Sequence, residues 1–354
     1  MTATLSQPLT RQQAGNPTGD PLTPMRFFEA MHAYQRTAAV KAAIELDLFT
    51  AIADTDGTVA AIASRIRASK RGVRALCDFL VVMGFAGKYL DEDSSRYSLT
   101  ADTNMFLNRK SPVYVGSATT FMGSRILMNA FDDLAAVVRA GGPLPERPRI
   151  DSDSPLWVDF ARSMAPLLFP IAEKTAGLLK LPPKSRVLDI AAGHGLYGIQ
   201  VAKQNPDATI VALDFASVLA VASENAERAG VLDRFSFLPG DALEVSMGTG
   251  FDAALVTNLL HHWDPPTIEK LLRKVYAALA PGGRIVIVEF VPNADRVSPP
   301  MAAAFVMNML ANTTGGDVYT FSEHTAMLGR AGFTRCEEHS LMPFPEVAIV
   351  AVKS

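Results

Sequence analysis

The most constraining feature of this chain is a strand, a glycine-rich turn and a helix in close succession. The run RVLDIAAGHGLYG, residues 186–198, begins as an apolar strand, and Gly193, Gly195 and Gly198 match the pattern G-x-G-x-x-G. Asp214 ends the next apolar run, about 20 residues further on, where a carboxylate can bind ribose hydroxyls. Because the strand, turn, helix and acid follow one another at the spacing of this motif, they predict a βαβ unit that binds a nucleoside-containing ligand.

The rest of the chain after residue 181 continues this alternation of strands and helices. Such alternation predicts an α/β domain with a mostly parallel sheet of seven strands. Only MPFP separates the last two apolar runs, so we expect an antiparallel hairpin at a sheet edge, without a helical crossover. The further strand candidates are TIVALD, FSFLPG, FDAALVTNLL, GRIVIVEF, FTRCEEHSL and EVAIVAVK.

The chain before residue 182 has a different organisation. Residues 1–24 are rich in Thr, Gln, Pro and Gly and are expected to form a flexible tail. Residues 25–110 predict three helices, the first spanning FFEAMHAYQRTAAVKAAIELDLFTAI and the second capped by Thr58, followed by a hairpin with the acidic tip DEDSS. This order is typical of a winged helix. Residues 111–181 predict a helical linker that is interrupted by GGPLPERPRID, and residues 182–354 form the α/β domain.

Composition excludes several classes of protein. The net charge of −3 gives no electrostatic reason for nucleic-acid binding. The two cysteines, Cys77 and Cys336, are far apart, so neither a disulfide framework nor a cysteine-built metal site is expected. No apolar run is long enough to span a bilayer, and no signal peptide precedes the first helix. The expected location is therefore the cytoplasm.

Three aspartates end three successive strands. Asp189, Asp214 and Asp241 are expected to meet at the carboxyl edge of the sheet, where open α/β sheets bind ligands. A nicotinamide dinucleotide fits the glycine turn, but its pyrophosphate would be repelled by Asp189. An amino group, a ribose diol and an adenine amino group are all donors, and S-adenosylmethionine carries all three. Three acceptors in this order therefore favour that molecule.

The motifs VLDIAAGHG, VALDF, PGDAL, NLLHHW and APGGRIVIVE together resemble those of the class I S-adenosylmethionine-dependent methyltransferases. With the predicted winged helix, residues 27–353 resemble the plant-type O-methyltransferase family, which includes many bacterial natural-product enzymes. The resemblance implies a Rossmann-like catalytic domain and a mostly helical N-terminal winged-helix domain that forms a homodimer. Ala191 and Ala192 stand where the family often has glycine. The resemblance implies a cofactor cradle of Asp189, Gly193, Gly195, Asp214 at the ribose, and Asp241 with Ala242 near the adenine.

The resemblance also implies a catalytic base in NLLHHWDPPT. His261 lies two residues before Trp263 and matches the family's base, which takes a hydroxyl proton before methyl transfer. Glu289 matches an acid that orients this base. No metal is needed, because the sulfonium already activates the methyl group. Two departures affect this region, since His262 occupies the usual Asp position and Val318, next to Asp317, replaces a glutamate.

The acceptor is expected to be a small aromatic molecule. The resemblance places it between the linker helices and the segment after the fifth strand of the α/β domain, in an apolar pocket with methionine walls. Trp157 and Met122 are further candidates for this pocket. Its expected lining is Phe160, Met164, Phe305, Met309, Asn308 and Asn312.

Other functions remain open from the residues alone. The two departures near the base keep C- or N-methylation possible, and also a family member that binds the cofactor without transferring its methyl. An NAD-dependent oxidoreductase explains the glycine turn but leaves Asp241 and the histidines unexplained. A winged-helix repressor is a further alternative, although residues 25–110 hold 12 Lys and Arg against 10 Asp and Glu, and the predicted hairpin tip is acidic.

Overall fold

The structure is a computed structural model that describes residues 22–91, 94–145 and 154–354 of the chain. Three predicted segments therefore lie wholly or largely outside the described residues. They are the flexible tail, the tip of the acidic hairpin and the GGPLPERPRID interruption. The chain divides into two compact units, Met1–Ser98 and Leu99–Ser354. Among the described helices, none combines the length and the apolar character needed to cross a membrane.

The first unit is helical and ends in a two-stranded hairpin, as predicted. The predicted first helix is in fact two helices, because Asp47 adopts a left-handed φ of 55° between them. Thr58 caps the next helix as expected, since its hydroxyl accepts a hydrogen bond from the N–H of Ala61. The elements are α1 (Met25–Glu45), α2 (Leu48–Asp54), α3 (Val59–Ile66), α4 (Lys70–Val82), β1 (Ala86–Asp91) and β2 (Ser94–Leu99).

A partly exposed polar cluster joins α4 to the hairpin. Asp78 on α4 accepts hydrogen bonds from the Tyr97 hydroxyl at 2.7 Å and from the Lys88 ammonium at 2.6 Å. The hydrogen bonds from Lys88 and Tyr97 hold the pKa of Asp78 below its ordinary value. The hairpin is therefore attached to the helices by charged and polar contacts as well as by apolar packing.

The second unit begins with short helices. Leu156 and Ala161 of α9 and Ile171 of α10 are buried, so these two helices contribute to the core of the unit. The helices are α5 (Ala101–Leu107), α6 (Thr119–Met122), α7 (Arg125–Asn129), α8 (Leu134–Ala140), α9 (Pro155–Ser163) and α10 (Ala165–Leu178).

The remaining elements form the predicted seven-stranded sheet with helices. The strand order is β5-β4-β3-β6-β7-β9-β8, in which β9 is antiparallel to both of its neighbours and the other pairs are parallel. The strands are β3 (Arg186–Ile190), β4 (Thr209–Asp214), β5 (Phe235–Pro239), β6 (Phe251–Thr257), β7 (Leu279–Glu289), β8 (Phe333–Ser340) and β9 (Val347–Lys353). The helices are α11 (Leu196–Gln204), α12 (Ala216–Arg228), α13 (Pro265–Ala278), α14 (Pro300–Ala304), α15 (Val306–Asn312) and α16 (Phe321–Ala331).

The centre of this sheet positions the candidate site. Strand β3 pairs with β4 on one side and with β6 on the other, so the strand order reverses next to β3. In open α/β sheets, ligands bind outside the carboxyl ends of the strands at such a reversal. Strand β6 ends earlier than predicted, because Asn258 adopts a left-handed φ of 52° and the chain turns away from the sheet there. The turn that follows carries both histidines of NLLHHW.

Candidate active site

The glycine turn is held closed by two aspartates. The N–H of Gly193 donates a hydrogen bond of 2.8 Å to Oδ2 of Asp214, and the N–H of Phe215 donates one of 2.7 Å to Oδ1. The N–H of Gly198 donates one of 3.0 Å to Oδ2 of Asp189. The carboxylates at the ends of β3 and β4 thus fix the backbone of the turn that links β3 to α11.

The glycines of the turn have different physical roles. Gly193 and Gly195 adopt left-handed φ values of 56° and 72°. A side chain at Gly198 would place its Cβ 2.8 Å from Ile210 and 2.9 Å from Asp189, so only glycine fits there. A Cβ at Gly193 would come no closer than 3.8 Å to any atom of the described chain outside its neighbours, so the turn leaves room beside it for a ligand. Ala191 also has a left-handed φ, of 52°, so this alanine adopts a strained conformation where the family often has glycine.

Asp189 is buried with too few donors. Its Oδ1 has no hydrogen-bond partner in the described parts of the chain. Burial raises the pKa of Asp189 to about 8, and the single amide of Gly198 does not offset this effect. A cationic group close to the turn would supply a charge that favours the ionised carboxylate. The donor-poor carboxyl therefore fits the positively charged methionine part of S-adenosylmethionine better than it fits a pyrophosphate.

The third predicted acid follows β5, next to β4 in the sheet. The side chain of Asp241 accepts a hydrogen bond of 2.8 Å from the N–H of Leu243, which shapes the turn after the strand. Ala242 is buried, and its carbonyl accepts a hydrogen bond from the Lys274 ammonium at 2.9 Å. The strand order therefore brings all three predicted acids to neighbouring strand ends, as the sequence indicated.

His261 and Glu289 form a buried pair at the ends of β6 and β7. Nδ1 of His261 lies 2.5 Å from Oε2 of Glu289. The other carboxylate oxygen accepts hydrogen bonds from the N–H groups of Leu259 at 2.9 Å and Leu260 at 2.7 Å. Burial alone would raise the pKa of Glu289, but the charge and hydrogen bond of His261, with the backbone donors, lower it below its ordinary value. The pair therefore holds an ionised carboxylate inside the protein.

This contact determines the chemistry that the ring offers. In a neutral imidazole one nitrogen carries the proton and the other accepts one. Because the ionised Glu289 accepts a hydrogen bond at Nδ1, the proton resides on Nδ1 and leaves Nε2 of His261 as a proton acceptor. Gly316 packs against the backbone of His261, since a Cβ there would lie 2.3 Å from the His261 carbonyl oxygen.

Aromatic rings surround this histidine. The ring of Phe305 lies 5.1 Å from that of His261 at an interplanar angle of 88°, and it stacks on Phe290 at 4.2 Å. The ring of His262 lies 4.4 Å from His261, and Trp157 makes an edge contact with His262 at 5.3 Å. A flat aromatic molecule could therefore pack against these rings close to His261.

A second aromatic group connects this region to the glycine turn. The ring of Phe160 contacts Trp157 at 6.5 Å and Phe121 at 5.0 Å, both edge to face. It also lies nearly parallel to the ring of His194, a residue of the turn, at 6.1 Å. Phe160 thus links the aromatic rings near His261, through Trp157, to the glycine turn, through His194.

The other predicted pocket residues have varied surroundings. Met309 is buried, and Met164 packs into the hydrophobic core with Leu168 and Ile171 of α10. The amide of Asn312 donates a hydrogen bond of 2.9 Å to the side-chain oxygen of Asn308, so the two asparagines satisfy each other. Met122, the further candidate, has a largely exposed side chain.

The two departures from the family pattern have structural consequences. His262 is held neutral, because burial and the neighbouring His261 lower its pKa well below the ordinary value. Asp317 pairs with Arg296 at 3.7 Å, and its side chain also accepts the N–H of Val318. Val318 itself is buried. His262 therefore adds an aromatic neighbour to His261 without adding charge, whereas Asp317 is engaged by Arg296.

Two buried titratable residues near the pair were not singled out in the sequence. His324 on α16 and Glu346, directly before β9, are both buried and interact electrostatically with Glu289. The only sequence signal for Glu346 is an acid directly before an apolar strand, in FPEVAIV. No group of His, Cys, Asp and Glu among the described residues is suited to hold a metal ion.

Comparisons with known proteins agree with this geometry. Residues 150–334 match the O-methyltransferase domain, and residues 28–109 match the O-methyltransferase dimerisation domain. The chain is 29% identical over 328 residues to 3-hydroxy-5-methyl-1-naphthoate 3-O-methyltransferase of Streptomyces sahachiroi. The aligned region covers 90% of this chain and 93% of that protein.

Two solved structures extend the comparison. A protein of Nostoc punctiforme, provisionally named an O-methyltransferase, is 44% identical, has a TM-score of 0.90, and matches 94% of this chain and 100% of its own. Human N-acetylserotonin methyltransferase, solved in complex with S-adenosylmethionine, shares the fold with a TM-score of 0.84 at 22% identity, over 95% of this chain and 99% of its own. With both domain matches in place, the chain belongs to the O-methyltransferase family and is an S-adenosylmethionine-dependent methyltransferase.

Proposed function

We propose that the protein transfers a methyl group from S-adenosylmethionine to a hydroxyl of a small aromatic acceptor, with His261 as general base. The observation that carries this proposal is the buried His261–Glu289 pair, which leaves one imidazole nitrogen as a proton acceptor among aromatic rings. When bound, the cofactor supplies an electrophilic methyl group on a positively charged sulfur.

His261 performs the acid–base part of the reaction. Its Nε2 accepts the proton of the acceptor hydroxyl, so the oxygen becomes a stronger nucleophile. The imidazolium that results is stabilised by the carboxylate of Glu289, which keeps its charge because of its backbone donors. The chain's remaining task is to align the acceptor oxygen and to exclude water.

The residues at the ends of β3, β4 and β5 hold the cofactor. Asp189 lies beneath the turn at the positively charged end of the ligand, and Gly193 with Gly195 leaves room for it. Asp214 binds the ribose, since its carboxylate is already positioned against the turn. Asp241 and Ala242 lie near the adenine, at the end of the next strand.

The acceptor class follows from the walls around the base. Phe305, Trp157 and Phe160 offer ring faces and edges to a planar ligand, whereas Asn308 and Asn312 bond to each other and contribute less to recognition. The relative from Streptomyces sahachiroi is named for a hydroxynaphthoate, a planar bicyclic phenol. A planar hydroxylated arene suits the aromatic walls of this chain in the same way.

The N-terminal unit makes the protein a homodimer. Helix α1 exposes Phe27, Met31 and Tyr34 with relative exposures of 63%, 57% and 68%. Such an apolar surface is unusual on a monomer and marks an interaction site. The match of residues 28–109 to the dimerisation domain supports a second copy of this chain as its partner.

A transfer assay tests the proposed activity. The purified protein is incubated with methyl-labelled S-adenosylmethionine and a panel of phenols, hydroxynaphthoates and larger hydroxyarenes, and the products are analysed by mass spectrometry and NMR. We expect a methoxy product from at least one bicyclic phenol. A new carbon–methyl or nitrogen–methyl group would favour the alternative methyltransferase classes. Tight cofactor binding without any transfer would favour a non-catalytic family member.

A further inference from the structure

The turn after β5, which carries the third acid of the proposed cofactor site, is a compact hydrogen-bonded unit. The carbonyl of Asp241 accepts hydrogen bonds from the N–H groups of Glu244 at 3.0 Å and Val245 at 2.8 Å. The N–H of Gly240, directly before it, donates one of 3.0 Å to the carbonyl of Asp214 at the end of β4. Backbone hydrogen bonds therefore shape this turn and join it to β4.

Lys274 on α13 also contacts the turn. Its ammonium donates a hydrogen bond of 2.9 Å to the carbonyl oxygen of Ala242, which lies 32 residues earlier in the chain. Lys274 is half-buried, and burial lowers its pKa, whereas the nearby Glu244 and Asp241 act in the opposite direction. A long side chain that is fixed in this way loses conformational entropy, which a freely solvated lysine would keep. The contact therefore calls for a role that offsets this loss.

One peptide group connects Lys274 to Asp241. The carbonyl of Ala242 and the N–H of Leu243 lie in the same peptide plane and point in opposite directions. The carbonyl accepts its hydrogen bond from Lys274, and the N–H donates one of 2.8 Å to Oδ1 of Asp241. Hydrogen bonds in such a chain strengthen one another, because each polarises the next. Lys274 thus fixes the orientation of the peptide that holds the Asp241 carboxylate.

This arrangement engages one carboxylate oxygen and directs the other. Oδ1 of Asp241 is held by the N–H of Leu243, and Oδ2 can accept a hydrogen bond from a ligand. The exocyclic amino group of adenine is a suitable donor. Because the two oxygens are rigidly linked, the peptide that fixes Oδ1 also sets the direction in which Oδ2 points.

We propose that Lys274 is a positioning residue for cofactor recognition: through the Ala242–Leu243 peptide, it orients the Asp241 carboxylate towards the amino group of adenine. This role rests on the proposed placement of adenine near Asp241 and Ala242. Lys274 acts through the turn and makes no contact with the cofactor itself. Its removal should therefore affect recognition of the adenine amino group more than binding of the rest of the cofactor.

Two ligands that differ at one edge of the purine ring test this role. S-adenosylhomocysteine carries the amino group, whereas S-inosylhomocysteine has a carbonyl oxygen in its place. Calorimetric titration gives the Kd of each ligand, and the ratio of the two values measures recognition of the amino group. We expect the wild type to bind S-adenosylhomocysteine about 10–100-fold more tightly, the range for a hydrogen bond to a charged group. In Lys274→Met this preference should fall by about 5-fold, the effect of one hydrogen bond.

Lys270→Met is the matched control. Lys270 lies one helical turn before Lys274, and its ammonium pairs with Oε1 of Glu244 in the same turn at 2.9 Å, but it is exposed and binds a side chain. Both variants remove one positive charge from the same face of α13, so a general effect of charge appears in both. The loss of preference for the amino group should appear only in Lys274→Met. Lys274→Arg keeps a donor and should have a larger preference than Lys274→Met.

The outcomes separate this role from the proposed cofactor site. An unchanged preference in Lys274→Met, even if both affinities fall, would mark a purely structural contact and overturn the proposal, while the adenine site would stand. A wild type that binds both ligands equally would remove adenine from Asp241, and the role of Lys274 with it. Thermal unfolding without ligand shows whether each variant is folded. If Lys274→Met does not fold, Lys274→Gln gives the same comparison, since its side chain is too short to make the same bond.

Discussion

Asp189 and Glu289 are two buried carboxyl groups at opposite sides of the strand reversal, and their pKa values shift in opposite directions. The pKa of Asp189 is raised to about 8, whereas that of Glu289 is lowered. Both side chains are buried, so burial does not explain the difference. Glu289 has a histidine and two close backbone N–H donors, but Asp189 has one amide and an oxygen without a partner in the described chain.

This contrast distinguishes two kinds of site. The half around Glu289 is electrostatically complete, because the protein itself supplies the donors that keep the carboxylate ionised. The half around Asp189 is incomplete, and a cationic ligand can supply what is missing. The proposed catalytic pair thus gains its charge from the fold, whereas the proposed cofactor side would gain part of its favourable electrostatics on binding.

The largest expected effect comes from removing His261, the proposed base. His261→Ala should lower kcat by about 10²–10⁴-fold, the usual range for a general base, while cofactor affinity stays unchanged. The measurements are a transfer assay and a calorimetric titration with S-adenosylhomocysteine. His262→Ala is the matched control, since its ring neighbours His261 and it is neutral, and it should lose far less. Equal loss in both variants would remove the distinction between the two histidines.

The next effect concerns Glu289, whose carboxylate is kept ionised by donors that the protein itself supplies. Glu289→Gln should lower kcat by about 10–100-fold, because the amide cannot stabilise an imidazolium as a carboxylate does. The pKa of Glu289 is lowered on folding, so its charge adds stability above its ordinary value of 4.5, and this stability is lost as the pH falls. The variant should therefore melt at a lower temperature than the wild type at pH 7, and the difference should narrow towards pH 3. A constant difference in Tm would contradict the argument.

Substitution of Asp189 should change the melting temperature in the opposite direction. Because the pKa of Asp189 is raised to about 8, ionisation destabilises the folded chain as the pH rises from about 4 to 8. Asp189→Asn should therefore raise Tm at pH 9 and leave it unchanged at pH 4, since the amide oxygen can still accept the Gly198 N–H. Cofactor affinity should fall by about 10-fold, because the ligand's cation loses its partner. A stability change of the same sign as in Glu289→Gln would abolish the comparison.

The smallest predicted effect concerns Asp214. Asp214→Ala should weaken binding of S-adenosylhomocysteine by about 5–10-fold, the loss of one or two hydrogen bonds, with little effect on kcat at saturating cofactor. Binding can be followed by calorimetry. Asp207→Ala removes an exposed aspartate before the same strand and should leave affinity unchanged. Equal affinity in Asp214→Ala and the wild type would exclude the ribose role.

Much of this arrangement was predictable because it depends on short-range patterns. The glycine turn, the alternation of strands and helices, and the antiparallel hairpin of β8 and β9 all have local signals. The likeness of NLLHHW to a family motif directed attention to His261, and Glu289 followed as the acid at the end of the next strand. The structure confirms that these two residues meet.

What could not be predicted depends on single dihedral angles or on distant partners. The left-handed conformations of Asp47 and Asn258 split the first helix and shorten β6, and neither residue is a glycine that would signal such a conformation. The burial of Glu346 depends on the pairing of β9 with β7, which are distant in sequence. Nothing near Glu346 in the sequence encodes that pairing.

The position of β9 between β7 and β8 also determines when the second edge of β7 is covered. Strand β7 ends at Glu289, but its second edge is covered only by a strand that follows roughly sixty residues later in the chain. Until that strand pairs, the backbone of β7 presents an open edge that can associate with other chains. The glycine turn, by contrast, needs only neighbouring segments. During synthesis the glycine turn can thus become native early, whereas the edge of β7 beside Glu289 is covered last.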